Sequence, residues 1–497
     1  MRGPLARVSP ISLIAVVSGG AALDQILLWR FLGLTGNAVT ALLAAALLAA
    51  TAWLIVRAQR NAAAGVGLRT LAAATAIALL LCILGGEGRL LYATTDWQVR
   101  GAVLRDLTLY PWPFVYDEPG GPWLLRAPLG MYLTPALIGK AAGGVRAAEF
   151  ALLAQNTATL ACLFGLGALL FEGAKARIGA LAIFAGFSGM DAIGQLLAGQ
   201  PLTMNAERWN LAVYSAHLDQ LYWVPQHALV GWGGAVLYLL WRAGKLPLAA
   251  ALAPLPLLAL WSPLALLGTL PFAAHAAIAT LVRRDIRAID LLLPTATALF
   301  ALPGLLYLAS GSDAVGGGLT PLPFHQYAAF EVLEVGPYLL GLWFLGRSTA
   351  FAGTTFAILA ATLLLIPYGQ VGTSTDFTMR ASIPALAILA LGVASVLLSP
   401  RQPGEGLWRG VLTVALAIGL VTPVMETWHA VSLPRAPRIL CSYFGVVPGG
   451  FPTYVAPLAR VSPTIAPRDP ARIAPEHLAK CWDGPWPEPL LYMDQLH

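Results

Sequence analysis

Runs of about twenty apolar residues recur along this chain, and each is long enough to cross the roughly 30 Å hydrocarbon core of a bilayer as a helix. Nothing else in the sequence constrains the fold as strongly. Of the 497 residues, 58% are hydrophobic and 11% charged, far below the roughly 25% charged residues of a soluble domain, so a water-soluble fold is excluded. The expected fold class is all-α, a polytopic integral membrane bundle. Apolar segments fall near 9–34, 37–56, 67–85, 128–143, 147–171, 178–193, 222–241, 247–262, 264–282, 289–309, 327–346, 350–367, 381–398 and 407–424. They amount to twelve to fourteen spans. Arg2 and Arg7 ahead of the run from Ile11 to Val17 give the start a superficial likeness to a secretory leader. The run continues past Asp24 to Leu34 without a convincing cleavage site, which favours a first membrane helix.

The net charge of +6 is scattered over short connections between apolar runs. It reads as a topology signal, with no nucleic acid as partner. Arg57, Arg60 and Arg69, then Arg242 with Lys245, Arg283 with Arg284 and Arg287, Arg347, and Arg401 mark turns retained on the cytoplasmic side. The domain reading that follows is a transmembrane domain over 1–424, with extracytoplasmic loops at 86–127, 194–221, 310–326 and 368–380, and an extracytoplasmic tail over 425–497. Three apolar segments between the first two outer loops break the alternation, so one of them, such as the short stretch from Pro128 to Ala142, is expected to be re-entrant or half-spanning. Pro254, Pro256, Pro263 and Pro271 in one apolar stretch predict irregular helices near a cavity. Cys82 and Cys162 lie in apolar runs and read as packing residues. Cys441 and Cys481 lie in the polar tail, where an oxidising compartment would permit a disulfide.

The richest polar segment is Thr94-Thr95-Asp96-Trp97-Gln98-Val99-Arg100, continuing through Leu104-Arg105-Asp106-Leu107 to Tyr110-Pro111-Trp112-Pro113. As a helix it gathers Trp97, Val99, Val103, Leu104 and Leu107 on one apolar face, the pattern of a helix lying in the membrane interface. Arg100 points into that face and needs a partner, and Asp96, four residues earlier, is the nearest. Two readings of Asp96 stand side by side: a helix N-cap and an acid facing a reaction cavity.

An acid at the start of the first large outer loop, followed by an interfacial helix on a chain of this span count, resembles the C-type (GT-C) superfamily of membrane glycosyltransferases, which take sugars from polyprenyl-phosphate donors. Asp96-Trp97, Leu104-Arg105-Asp106-Leu107, Pro111-Trp112-Pro113 and Arg126-Ala127-Pro128-Leu129-Gly130-Met131-Tyr132 are more closely similar to bacterial multi-span membrane proteins of mostly unassigned function. Val224-Pro225-Gln226-His227-Ala228-Leu229 and Asp376-Phe377-Thr378-Met379-Arg380-Ala381-Ser382-Ile383-Pro384 extend that likeness over about residues 90–390. The resemblance implies a sugar transferase of a bacterial inner membrane, with a polyprenyl-phosphate lipid donor, an extracytoplasmic acceptor, membrane lipids around it, and no cofactor beyond an optional divalent metal.

In that chemistry an acceptor hydroxyl must lose its proton, and a carboxylate in reach can take it; Asp96 is the expected base. A cation must steady the leaving phosphate. Arg380 is the first candidate, followed by Arg126 and Arg100, with Asp376 near Arg380; an arginine snorkelling to the interface is the alternative for Arg380. Asp191 falls where the superfamily often has a second acid, and can equally be a cap. His217, Asp219, Gln226 and His227 open a span, with Asp219, Trp223 and Gln226 expected on one face, to bind sugar hydroxyls or to anchor the helix. Glu331 and Glu334 are intramembrane acids close to the outer boundary, and Asp117 and Glu118 read as loop solvation. No Cys/His spacing suggests zinc. A transporter or lipid flippase, and a non-catalytic envelope-assembly protein of the same fold, are the competing readings.

Overall fold

Strand β1 (Arg7–Val8) pairs with β2 (Val66–Gly67), and this small bridge brackets the first hairpin of the bundle, α1 (Pro10–Phe31) and α2 (Asn37–Arg60). Pro10 opens α1 where a missing N–H is tolerated. Since α3 (Leu68–Leu84) starts from β2, Arg57, Arg60 and Arg69 collect at one arginine-rich end of the bundle. The computed structural model describes residues 7–60, 65–202, 207–346, 351–372, 375–474 and 480–486.

At the other end, the loop end, the chain forms α4 (Asp96–Leu109), the hairpin β3 (Phe114–Glu118) and β4 (Gly121–Leu125), and α5 (Gly130–Ala142). Then α6 (Val145–Gly167) runs antiparallel to α3, fixed by the Arg89–Glu149 pair (2.6 Å) at the loop end and by Gly165 against Val66 and Leu71 at the other. Both chain neighbours of α5 therefore lie at the loop end.

Next come α7 (Ala174–Ala185), the short α8 (Asp191–Leu197) and α9 (His217–Trp223), and the central α10 (Pro225–Arg242). Prolines divide the following stretch into α11 (Leu248–Leu252), α12 (Pro254–Leu258) and α13 (Pro263–Val282), with Ser262 capping α13 through the Ala265 amide. The irregularity expected there is present. After α14 (Ala288–Ala309), strand β5 (Gly317–Leu319) precedes α15 (Phe324–Glu334), α16 (Gly336–Leu345) and α17 (Thr354–Leu365). Strand β6 (Gly369–Val371) pairs with β5, tying two loops together. The bundle closes with α18 (Asp376–Ala381), α19 (Ile383–Leu398), α20 (Gly406–Gly419) and α21 (Val421–Ser432).

The protein is thus a mostly helical membrane protein, but with fewer long spans than the sequence suggests. Among the described residues, six segments are long and apolar enough to cross a bilayer: α1, α2, α6, α13, α14 and the joined α20–α21; α15 with α16, bent by 56°, makes a seventh if taken as one span. Twelve to fourteen were expected. Several apolar runs fold instead as shorter helices, among them α3, α11–α12, α17 and α19. Others never face lipid. Every residue of α10 from Pro225 to Trp241 and of α19 from Ile383 to Ala394 is buried, whereas in α2 only Thr40 is. Hydropathy cannot distinguish a helix solvated by lipid from one solvated by other helices.

The tail after α21 forms α22 (Tyr443–Val446), β7 (Val455–Pro457) and β8 (Ala471–Ile473). It completes a four-stranded sheet in the order β7-β4-β3-β8 with the loop hairpin. The tight β3–β4 turn is made by Gly120 and Gly121, with φ of 98° and 122°, a region that disfavours any side chain. Cys441 and Cys481 are joined by a disulfide, and Cys82 and Cys162 are free and buried.

Candidate functional site

Helix α4 departs from the interfacial helix expected of it. Its apolar face is buried, but so are Gln98, Arg100, Arg105, Asp106 and Thr108, because the tail covers the side that would meet water. Asp106 shows how. Its carboxylate accepts from the Tyr116 hydroxyl (2.6 Å), from the Tyr443 amide (2.7 Å) and from Arg105 (2.9 Å), joining helix, sheet and tail. Burial raises its pKa to about 6 in spite of these donors.

Asp96 is the first residue of α4, and Thr95 occupies the cap position with no side-chain cap bond, so the N-cap reading of Asp96 is not met. Asp96 turns to Arg100 instead, which donates Nη2 to its carboxylate at 2.9 Å. The Arg100 side chain is fully buried, and Asp96 is 20% exposed. Arg100 also donates Nη1 to Gln226 Oε1 at 2.7 Å and, more weakly, to the Tyr132 hydroxyl at 3.4 Å. The neighbouring His227 bonds Ser262 through Nδ1 at 2.6 Å. The acid of the first loop is thereby wired to the start of the central helix.

Gln226, His227 and Tyr132 open onto a cavity of about 550 Å³. Arg126, Arg380 and Asp376 line it too, and Leu264, Leu266, Leu267, Leu305 and Leu308 form an apolar wall. Arg380 pairs with Asp376 at 2.9 Å. Arg126 donates to the carbonyls of Leu308 (2.7 Å) and Pro452 (2.9 Å). The Nε–H groups of Arg126 and Arg380 are buried without a hydrogen-bond partner among the described residues. The tail closes this wall with Thr453 and Tyr454, and Tyr454 feels the charges of both ion pairs, Asp96–Arg100 and Asp376–Arg380. Asp96 and Arg100 do not line the cavity; they connect to it through the bonds of Arg100 to Gln226 and Tyr132, which do.

The other expected site residues go elsewhere. Helix α9 ends at Trp223, and Val224 breaks it (φ −137°, ψ 54°) before Pro225 starts α10, so Asp219 and Gln226 do not share a face. His217 is enclosed by Phe184, Phe187 and Trp232, with Nδ1 on the Phe184 carbonyl at 2.6 Å. Burial lowers its pKa to about 3, which keeps it neutral. Asp191 and Asp219 belong to a second polar region with Glu207, Glu334 and Glu426. Asp191 accepts from Ser188 (2.8 Å) and Thr422 (3.1 Å), Glu334 from the Trp209 indole (3.0 Å), and Glu207 from the Ala216 amide (2.5 Å). The carboxyls of Asp191 and Glu334 face each other, as do those of Glu207 and Asp219, closely enough to share a proton. Burial, then the charge of Glu207 and Glu426, pushes Asp219 well up; burial raises Asp191, and burial with Asp191 nearby raises Glu207 to about 8. A Cβ on Gly189 would collide with the Glu334 carboxyl, so the close approach of the chain there needs glycine. Glu331 is buried as well. Asp117 pairs with Arg472 at the surface (3.2 Å).

Among the described residues no three His, Cys, Asp or Glu side chains are arranged to hold a metal ion, the carboxyl cluster included. Sequence reasoning missed Glu207, Glu426, Tyr132 and Tyr454. The first two are acids in or beside apolar runs and carried that signal; the tyrosines carried none. No protein-family model matches the chain, and no curated protein or solved structure is significantly similar to it.

Proposed function

We propose that the chain is a membrane glycosyltransferase of the C type, transferring a sugar from a polyprenyl-phosphate donor to an acceptor at its loop end, which would face the extracytoplasmic side of a bacterial inner membrane. The observation that carries the reading is the cavity, where one apolar wall of leucines meets two arginines with unpartnered Nε–H groups. An amphiphile with an isoprenoid chain and an anionic phosphate matches both halves, and arginine suits phosphate oxygens. The disulfide between Cys441 and Cys481 fits an oxidising compartment at this end.

The reaction needs few parts. The acceptor hydroxyl oxygen attacks the anomeric carbon, its proton passes to the Asp96 carboxylate, and the bond from that carbon to the phosphate oxygen breaks with its electron pair leaving on the phosphate. Arg380 and Arg126 stabilise the charge that collects there. Arg100 orients Asp96 through a charge-assisted bond and ties it to Gln226. Asp96→Asn, assayed in membranes with labelled sugar on polyprenyl phosphate, is expected to lose about 10²- to 10⁴-fold in transfer rate while still folding, with a lowered unfolding midpoint because the buried Arg100 loses its anion. Normal transfer by the folded variant would refute the role.

One observation favours a second reading. Facing carboxyls near the membrane, raised by burial, are the equipment of proton-coupled transporters. That reading requires lipid or glycan movement driven by a pH gradient in vesicles, with no sugar transfer.

A further inference from the structure

At the arginine-rich end, far along the bundle from the cavity, a second hollow of about 300 Å³ is enclosed by α3, α6, α7 and α10. Its lining shares no residue with the cavity. The walls are apolar, with Ala73, Ile77, Phe164, Leu181, Trp232 and Val236 among them, and the polar side chains are Arg69, Thr70 and Arg177. These three lie together at one mouth. Arg177 donates Nε to the carbonyls of Ala168 and Phe171 (3.1 Å each) and Nη1 to Thr70 Oγ1 (3.5 Å). Lys245 donates to the next carbonyl, that of Leu169, and exposed Lys175 is the second residue of α7, just after the turn at 172–173. Among the described residues none of Arg69, Lys175 and Arg177 makes an ion pair. Glu172 is the one carboxylate in that turn, and it too is exposed.

We infer that this groove is a binding site for one anionic glycerophospholipid, its phosphate among Arg69, Lys175 and Arg177 and one acyl chain in the slot. Charge and length select this occupant. From Arg69 to Ile77, eight residues of helix at 1.5 Å each, the slot is about 12 Å deep, close to one leaflet, half of the roughly 30 Å hydrocarbon core. A free phosphate would use the cations and leave the slot empty. A neutral lipid would fill the slot and leave Arg69 and Arg177, the two cations that line it, without an anion, where basic pockets between membrane helices attract anionic headgroups. The site is independent of the proposed sugar transfer.

The test is native mass spectrometry of the full chain after exchange into vesicles of phosphatidylglycerol and phosphatidylcholine with identical chains. Preferential retention of one phosphatidylglycerol is expected. Arg69→Gln and Lys175→Gln, both at exposed positions and therefore safe for folding, should each weaken that retention about fivefold, and Ala73→Phe, which fills the slot, should reduce retention of both lipids. Equal retention of the two lipids by the unaltered protein, indifference to all three variants, or displacement by millimolar inorganic phosphate would overturn the proposal.

Discussion

Two polar regions are buried at the loop end of this protein, and they are built on opposite principles. Around the cavity every acid has its cation: Asp96 with Arg100, Asp376 with Arg380. A few helices away, Asp191, Glu207, Asp219 and Glu334 form no ion pair with lysine or arginine among the described residues, and Glu426 has only His429, at 3.8 Å. The first region holds fixed charges and keeps them by pairing. The second lowers its charge by keeping protons, since several unpaired carboxylates in so little water are too costly to ionise together. A paired region presents a constant field to a substrate, whereas a proton-sharing region responds to pH.

Removing a cation from the paired region should have the largest effect. Arg100→Met leaves Asp96 and Gln226 facing an apolar stem, and a loss of about 3–5 kcal/mol is expected, read as a large fall in the unfolding midpoint of the purified protein. A shift below 1 kcal/mol would mean that the pairing is incidental. The pH dependence of the second region comes next. Glu207 has a folded pKa of about 8 against an ordinary value of 4.5, so the folded state binds more protons between those values. Its contribution is fully present below about pH 4.5 and is lost as pH rises through 8. Stability should fall by about 1–3 kcal/mol from pH 5 to pH 9, and Glu207→Gln, which keeps an acceptor for the Ala216 amide, should flatten that slope. A rise in stability over the same range in the unaltered protein would put a hidden cation in the cluster and erase the contrast.

How much of this could be read in advance depends on the reach of each interaction. The Asp96–Arg100 pair spans one helical turn, and its spacing disclosed it. The broken helices of the 247–271 stretch were legible too, because each proline removes its own backbone donor wherever the chain packs. The tail over α4 was not legible: Asp106 meets Tyr443, and β4 meets β7, across more than three hundred residues. The division of Asp219 from Gln226 turned on Val224 alone, whose backbone ends one helix before Pro225 begins another. Span counting failed for a different reason, since composition records how apolar a helix is and not what surrounds it.

Smaller effects sharpen the comparison from the second region. Asp219→Asn should be close to neutral, or stabilising by about 1 kcal/mol at pH 8, because it replaces a carboxyl that already resists ionising by a neutral amide of the same shape; a loss as large as that of Arg100→Met would show that the two regions follow one rule. At the bottom of the scale, Arg472→Ala breaks an exposed pair with Asp117 in the sheet and should move the unfolding midpoint by less than about 0.5 kcal/mol in equivalent stability.

Tyr454 sets an order of events. It closes the cavity wall, yet it follows every bundle helix in the chain. A nascent protein can insert all of its helices, even fix Asp96 against Arg100, and still have a hollow that is open on one side. The wall is complete only when the tail has laid β7 against β4 and brought the Pro452 carbonyl to Arg126. An unfinished copy therefore has its helices in place and its cavity still without the side that the tail supplies.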